Sequence, residues 1–351
     1  MQWFRKAAEQ ENAKAQFNLG VMYQLGQGVG QDYVQAAEWY RKAAEQGDTG
    51  AQNNLGMLYQ NGQGVSQDYA QAAEWFYRAA NQENTDAQSN LGMLYANGQG
   101  VGKDYEKALK WFRRAAGHGD AIGQYNLGVA YANGEGVHQD YIQAIGWYRK
   151  AAEQGNVDAQ YNLGDMYASG EGVRQDYVEA IKWYRKAAEQ GDAQAQFNLG
   201  MMYLQGQGVR QDNAQAVQWF GRAAEQGHAK AQYNLGVMYA NGQGIRQDDV
   251  QAVRWYHKAA EQGVAQAQFN LGIMYDQGQG VRQDDAQAVH WYRKAAEQGY
   301  AEAQYNFGVM YANGEGVRQN YKIAKDWFGK ACDNGLQRGC DAYRELNQKG
   351  Y

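Results

Sequence analysis

The chain has 351 residues, 20% of them charged, and a net charge of −5. This acidic balance does not favour nucleic acid as a partner, because nucleic-acid binding usually needs a basic face. No apolar run approaches the roughly 18 residues of a membrane-spanning helix, and a chain with 45 glycines and no proline favours helices joined by many turns.

One unit of 36 residues recurs along the whole chain. The ten tryptophans lie 36 residues apart, from Trp3 to Trp327, and a glycine after Leu or Phe recurs at the same interval from Gly20 to Gly308. A fixed period of this length is the sequence signature of a repeat architecture. Because every tryptophan occupies the same position in the repeat, we expect a packing role and not ten active sites.

The position of the tryptophans in the repeat predicts which part of a repeat lies at each end of the chain. Trp3 holds a position late in the second helix of a repeat, so residues 1–11 are predicted to be part of that helix and the chain to be a fragment without earlier repeats or a leader. Nine full repeats are expected over 12–335, and a solvated capping helix over 336–351. The predicted domain is one solenoid over 1–351.

The unit at 12–47 contains two predicted helices. The first, helix A, has apolar residues on one face at i, i+4, i+7 and i+8, namely Ala15, Leu19, Met22 and Tyr23. The second, helix B, has a similar stripe of Ala36, Trp39, Tyr40, Ala43 and Ala44. A single hairpin is too small to bury its aromatic face, so neighbouring units must stack into an α-solenoid.

A Gly-x-Gly loop joins helix A to helix B, as in YNLGVMYANGQG at 233–244. Phosphate-binding glycine loops follow a strand and open a helix, whereas this pair follows a helix. We therefore expect the first glycine to take the left-handed conformation that ends helix A. Asp32 is expected to cap the N-terminus of helix B, with Gln35 as its capping-box partner, and equivalent caps recur as far as Asn320.

The repeat resembles the Sel1-like repeat (SLR) family, relatives of the tetratricopeptide repeat. The resemblance is carried over nearly the whole chain by segments such as AQYNLGVMYANGQGIRQDDVQAVRWYHKAA at 231–260. It implies an all-α, right-handed superhelical α-solenoid of 36-residue helix-turn-helix repeats, with helix A lining the concave face. It also implies an adaptor or partner-binding scaffold, commonly in bacterial envelope, secretion or host-contact settings.

The chain has two cysteines, Cys332 and Cys340, which hold the repeat positions of Ala44 and Gln16. These positions face each other across a short turn, and the spacing is that of the disulfide-rich SLR proteins. The resemblance therefore implies a disulfide and, with it, a periplasmic or secreted location in bacteria. Two buried free thiols are the alternative.

A second face of helix A is predicted to bind a peptide in the concave groove, because Asn side chains in related helical repeats bond to the backbone of bound peptides. The asparagine column is unbroken: Asn18, Asn54, Asn90, Asn126, Asn162, Asn198, Asn234, Asn270 and Asn306. Aromatic residues that would supply apolar contact lie beside it, with Tyr125, Tyr161, Phe197, Tyr233 and Phe269 in the predicted set. Alternatively, the asparagines bond locally to the adjacent repeat and the aromatic rings fill the seam between repeats.

Asp165 interrupts an otherwise apolar column of helix A, which elsewhere reads Val21, Met57, Met93, Val129, Met201, Val237, Ile273 and Val309. This interruption makes Asp165 the best single candidate for ligand specificity. An isolated, solvated aspartate is the alternative.

A row of arginines appears in the later loops: Arg174, Arg210, Arg246, Arg282 and Arg318. Such a row could attract an acidic partner or an anionic glycan. Most of these arginines lie two residues before an aspartate, so local neutralisation is the alternative.

No catalytic or metal site is predicted. The five histidines occupy five different repeat positions, without ligand spacing on one helix face, and no serine begins a Ser-x-x-Lys motif. We therefore expect a non-enzymatic scaffold, without a cofactor, that binds a protein or peptide segment. The alternatives are an envelope factor that binds a glycan or cell-wall fragment, and a spacer without a ligand.

Overall fold

The computed structural model describes residues 2–351, with side chains from Phe4 onward. Within that range all regular elements are α-helices, and they form two compact units, 1–176 and 177–351. The first unit contains α1 (Gln2–Glu9), α2 (Ala13–Leu25), α3 (Tyr33–Glu45), α4 (Thr49–Asn61), α5 (Tyr69–Asn81), α6 (Thr85–Asn97), α7 (Tyr105–Gly117), α8 (Ala121–Asn133), α9 (Tyr141–Glu153) and α10 (Val157–Ser169). The second contains α11 (Tyr177–Glu189), α12 (Ala193–Gln205), α13 (Asn213–Glu225), α14 (Ala229–Asn241), α15 (Asp249–Glu261), α16 (Ala265–Gln277), α17 (Asp285–Glu297), α18 (Ala301–Asn313), α19 (Tyr321–Asp333) and α20 (Gln337–Gln348).

Even-numbered helices are helix A of a repeat and odd-numbered helices are helix B. The predicted all-α solenoid of helix-turn-helix repeats is confirmed, with helices starting at the same interval as the sequence repeat. None of the described helices combines the length and apolar character needed to cross a bilayer.

The Gly-x-Gly loop ends helix A as predicted. Gly242 has φ +64° and ψ +32°, and its N–H donates to the carbonyl of Met238, which is the left-handed cap expected of the first glycine. The second glycine has a different role, which the sequence pattern does not predict. A Cβ on Gly244 would lie 2.3 Å from the backbone carbon of Asn213 in the preceding repeat, so this glycine permits adjacent repeats to approach.

The Asp caps of helix B are also present. Asp32 Oδ1 accepts the N–H groups of Val34 and Gln35, at 2.9 and 3.0 Å. The predicted capping box is wrong, because the backbone N–H of Asp32 donates to the carbonyl of Tyr23 at 2.9 Å. The return bond from Gln35 is therefore not needed, and the Gln35 amide donates to Glu38 instead.

The tryptophans lie in the seam between consecutive repeats. Trp75 on α5 packs against Ala36 and Tyr40 of α3 and against Leu55 of α4, and Trp255 and Trp291 have equivalent surroundings. Trp75 is 8% exposed. The predicted role of tryptophan as the filler of a shared seam is therefore confirmed at Trp75, Trp255 and Trp291, whereas Trp3 lies outside the described side chains.

From Trp39 to Trp327, a cation three residues further along helix B lies over each indole ring. Lys258 Nζ lies 4.2 Å from the ring centroid of Trp255, and Arg222 Cζ lies 4.5 Å from that of Trp219. Cation–π contacts of this kind contribute about 0.5–1 kcal/mol at exposed sites. The basic residues of helix B therefore have a packing role in addition to their charge.

Within each unit, a buried glutamine ladder links helix A to helix B, and this ladder is not predicted from the sequence. Gln52 of α4 donates to the carbonyl of Ala44 in the last turn of α3, at 3.0 Å. Its Oε1 accepts from Gln82, the C-cap residue of α5, at 3.1 Å. The equivalent donor glutamines are Gln16, Gln88, Gln160, Gln196, Gln232, Gln268 and Gln304. Each such bond fastens helix A to the preceding helix B through a buried polar group, as buried amides require.

The ladder is interrupted where His118 replaces the C-cap glutamine. Gln88 is fully buried, yet among the described residues its Oε1 has no hydrogen-bond partner. An unsatisfied buried acceptor of this kind costs about 1–3 kcal/mol.

Replacing His118 with glutamine should stabilise the first unit by about 1 kcal/mol, because the new amide reaches the unsatisfied Gln88 Oε1 and adds one buried hydrogen bond. The measurement is the free energy of unfolding in denaturant, with helix content as the signal. Gln82→His is the matched control and should destabilise by a similar amount, since it removes the bond to Gln52. Equal stability of His118→Gln and the parent chain would contradict the ladder.

Candidate functional site

The predicted asparagines lie half-buried on helix A, and several of them interact with the preceding repeat. Asn270 of α16 interacts with the hydroxyls of Tyr233 and Tyr256. Burial raises the pKa of Tyr256 to about 12, and the Asn270 contact partly offsets that rise. Asn162 makes the same two contacts, with Tyr125 and Tyr148.

The asparagines have other partners where helix B of the preceding repeat carries Phe at the position of Tyr148 and Tyr256. Asn90, which follows Phe76, donates to Asn53 Oδ1 at 3.1 Å, and Asn234, which follows Phe220, donates to Met201 Sδ at 3.5 Å.

Asn126 follows Phe112, and within the described part of the chain its buried Nδ2 has no partner. Asn198 accepts from Gln194 at 3.0 Å. These contacts correspond to the local-bonding alternative, while peptide binding by the same asparagines stays a prediction.

The predicted aromatic residues contact rings on the neighbouring helix B. Centroid distances are 5.9 Å for Tyr125 and Tyr148, 5.8 Å for Phe197 and Phe220, 6.0 Å for Tyr233 and Tyr256, and 5.9 Å for Phe269 and Tyr292. Phe197 and Phe269 also contact residues that open the next helix A, His228 at 4.7 Å and Tyr300 at 5.2 Å. Each of the four ring pairs lies within one hairpin, and Phe197 and Phe269 also reach the next repeat. Tyr161 is half-buried like the others.

Two of the predicted site residues, Asn162 and Asp165, share a cleft in the first unit. The cleft has a volume of about 300 Å³ and lies between α8, α9 and α10. Tyr148 and the carboxylate of Glu171 also line it. Its lining residues include two carboxylates and no Lys or Arg, so the cleft is suited to a cationic or hydrogen-bond-donating group.

The five arginines of the row are exposed, and two of them show no ion pair with the aspartate two residues further on. Asp212 and Asp248 use Oδ1 to accept a backbone N–H at 3.0 Å from the helices they cap. No ion pair within 4 Å joins Arg210 to Asp212 or Arg246 to Asp248 in the described coordinates. Arg210 and Arg246 are both exposed.

The histidines serve separate local contacts. His228 caps α14, with Nδ1 accepting the N–H of Ala231 at 3.1 Å, and burial lowers its pKa. His257 lies 3.5 Å from Glu261. Across residues 2–351, no group of three His, Cys, Asp or Glu side chains is arranged to hold a metal ion.

Cys332 and Cys340 are joined by a disulfide, with their Cα atoms 4.5 Å apart. The bond links the last turn of α19 to the first turn of α20. The two cysteines hold the repeat positions of Ala44 and Gln52, which are joined by a hydrogen bond of the ladder. Both pairs are eight residues apart in sequence.

A known repeat family matches this chain over residues 1–336. The Sel1 repeat matches residues 1–12, 13–48, 49–84, 85–120, 121–156, 157–192, 193–228, 229–264, 265–300 and 301–336. A search of curated proteins gave no match.

Two solved structures resemble most of this chain. A protective antigen present in uropathogenic Escherichia coli strains, with an SLR fold, is 38% identical over 99% of this chain and 90% of its own, with a TM-score of 0.59. A Sel1 repeat protein from Oxalobacter formigenes is 37% identical over 88% of this chain and 90% of its own, with a TM-score of 0.64. The chain belongs to the Sel1 repeat family.

Proposed function

We propose that this chain is a non-enzymatic scaffold that binds a protein or peptide segment along the helix A faces of its repeats. The observation that carries the proposal is the cleft between α8, α9 and α10, where Asn162 and Asp165 lie together. Stacked helical repeats offer extended surfaces suited to such segments. The likeness to other Sel1 repeat proteins supports a binding role in general terms.

The cleft differs from the rest of the array in its charge. Asp165 replaces Val, Met or Ile of the other repeats, and Glu171 replaces the Gln that most repeats have at that position. Both changes add a carboxylate to one cleft. We infer that the bound segment places a Lys or Arg side chain there, because a charge-assisted hydrogen bond is stronger than a neutral one.

The test uses labelled peptide pools that share one fixed central residue, Arg, Lys, Gln or Glu, with binding followed by fluorescence anisotropy. The Arg and Lys pools should bind about tenfold tighter than the Gln pool, as a hydrogen bond to a charged group allows. The double variant Asp165→Val, Glu171→Gln should lose that difference while it keeps the helix content, since neighbouring repeats carry those residues. Asp158→Asn removes one carboxylate from an exposed part of α10 and should leave the preference for basic residues unchanged.

Two outcomes of this test count against different parts of the proposal. If every pool binds equally, the cleft does not select a basic residue but the scaffold proposal stands. If no pool binds, and Asn162→Ala with Tyr161→Ala also leaves all captured partners bound, the helix A face is not the binding surface.

A second candidate is an envelope or secreted factor that binds an anionic glycan or cell-wall fragment. The exposed residues Arg210 and Arg246 favour it, and the Cys332–Cys340 disulfide supports an oxidising compartment such as the periplasm or cell exterior. A glycan array and a thermal-shift screen test this candidate. If a glycan still binds the double variant Arg210→Gln, Arg246→Gln, these two arginines do not form its binding site.

A further inference from the structure

The last helix of the chain is attached differently from the helices before it. In earlier repeats a buried Gln of helix A donates to the carbonyl of an Ala in helix B, as Gln304 of α18 does to Ala296 at 3.1 Å. In α20 that Gln is replaced by Cys340, so the polar link of the ladder is absent there. The disulfide to Cys332 takes its place.

Apart from the disulfide, α20 is held by a small buried patch and by half-exposed ring contacts, such as Lys325 with Tyr343 and Arg338 with Tyr305. Its buried residues are Gly339 and Leu346, whereas α18 buries Ala303, Gln304, Phe307, Gly308 and Met310. Leu336, which precedes α20, provides no side-chain cap. Lys325 donates to Asn347 Oδ1 at 2.7 Å, but this contact is exposed and contributes little.

The face that α20 covers is apolar. Leu346 packs against Ala324 and Phe328 of α19, and Phe328 is 4% exposed with α20 in place. Gly339 lies so close to α19 that a Cβ there would meet the Ala331 Cβ at 2.8 Å. Separation of α20 would therefore expose an apolar surface at this end of the second unit.

We propose that the Cys332–Cys340 disulfide is a redox-sensitive restraint that controls whether α20 stays docked on α19. A dithiol reductant transfers two electrons and two protons, so that the S–S bond breaks, two protein thiols form and the reductant becomes a disulfide. Both cysteines are half-buried, which leaves the bond open to such a reagent. The resulting thiols are weak donors and too short to replace the Gln-to-carbonyl bond.

The test is hydrogen–deuterium exchange of the full chain with and without dithiothreitol, read on the backbone amides of α20. Complete reduction, shown by two alkylated cysteines in the mass spectrum, should speed exchange across residues 337–348 by about tenfold or more, because a lost disulfide releases the helix to local opening. Exchange in α16 should not change and serves as the internal standard.

The array itself supplies the matched variant, Cys332→Ala with Cys340→Gln, which restores the residues of the ladder. This variant should exchange slowly with or without dithiothreitol, whereas Cys332→Ser with Cys340→Ser should exchange rapidly in both conditions. Unchanged exchange in the fully reduced parent chain would overturn the proposal. So would a response to dithiothreitol in the cysteine-free Ala/Gln variant, since that effect could not come from the disulfide.

Discussion

Replacement of Gly236 by leucine should unfold the hairpin of α14 and α15. A Cβ at this position would lie 2.6 Å from Cδ1 of Tyr256, whose side chain is 3% exposed and has no room to withdraw. Extra methylenes in a packed core usually cost about 1–3 kcal/mol, and here the clash begins with the first carbon. We expect loss of the helix content of at least this repeat, measured by circular dichroism during denaturation.

The milder change Gly236→Ala separates packing from helix propensity. In an open helix position, alanine is favoured over glycine by about 1 kcal/mol. Gly221 provides that control, because it lies inside α13 and no described atom outside its own helix backbone and chain neighbours would come within 4 Å of its Cβ. Gly221→Ala should stabilise the chain and Gly236→Ala should destabilise it. If both stabilise equally, the close approach of helices A and B at Gly236 is wrong.

Trp291→Ala should cost about 3–5 kcal/mol, the usual range for removal of a buried aromatic side chain. The indole is 4% exposed and contacts Tyr256 of the preceding helix B and Leu271 of the adjacent helix A. Its loss therefore weakens both the hairpin and the interface between repeats. Because repeat arrays are nearly sums of unit and interface energies, the unfolding transition should also broaden.

Trp291→Phe is the control for this change. Trp291 Nε1 is buried without a hydrogen-bond partner in the described structure, so phenylalanine sacrifices no bond. We expect it to cost less than Trp291→Ala, because phenylalanine keeps part of the buried aromatic ring and leaves a smaller cavity. Chemical denaturation measures both variants, and an alanine variant within about 0.5 kcal/mol of the parent would show that Trp291 does not fill the seam.

The helices, turns and tryptophan seam follow from local patterns in the sequence. The fixed period of the repeat predicts the packing role of Trp39. The left-handed conformation of Gly242 and the cap at Asp32 depend only on residues within one hairpin. Gln16 was missed because sequence reasoning assigns buried positions to apolar residues. Its signal is nevertheless present, since glutamine recurs every 36 residues from Gln16 to Gln304 without exception.

The candidate site was only partly predictable, because its contacts cross from one repeat to the next. Asn126 and Asn162 hold the same repeat position and look identical in sequence. Yet the asparagine that follows Tyr148 has a hydroxyl to contact, and the one that follows Phe112 does not. That difference depends on which helix B ring lies opposite each asparagine. Packing geometry, and not periodicity, determines that pairing.

The most direct test of the stacked-repeat account is hydroxyl-radical footprinting of the native chain, with oxidation of each aromatic residue resolved by mass spectrometry. Trp75 and Trp255, which are 8% and 9% exposed, should react slowly, while Tyr77, which is 52% exposed, should react rapidly. Denaturant should remove the protection of the tryptophans. Oxidation of Trp75 and Trp255 as fast as that of Tyr77 in the native chain would contradict a shared seam filled by indoles.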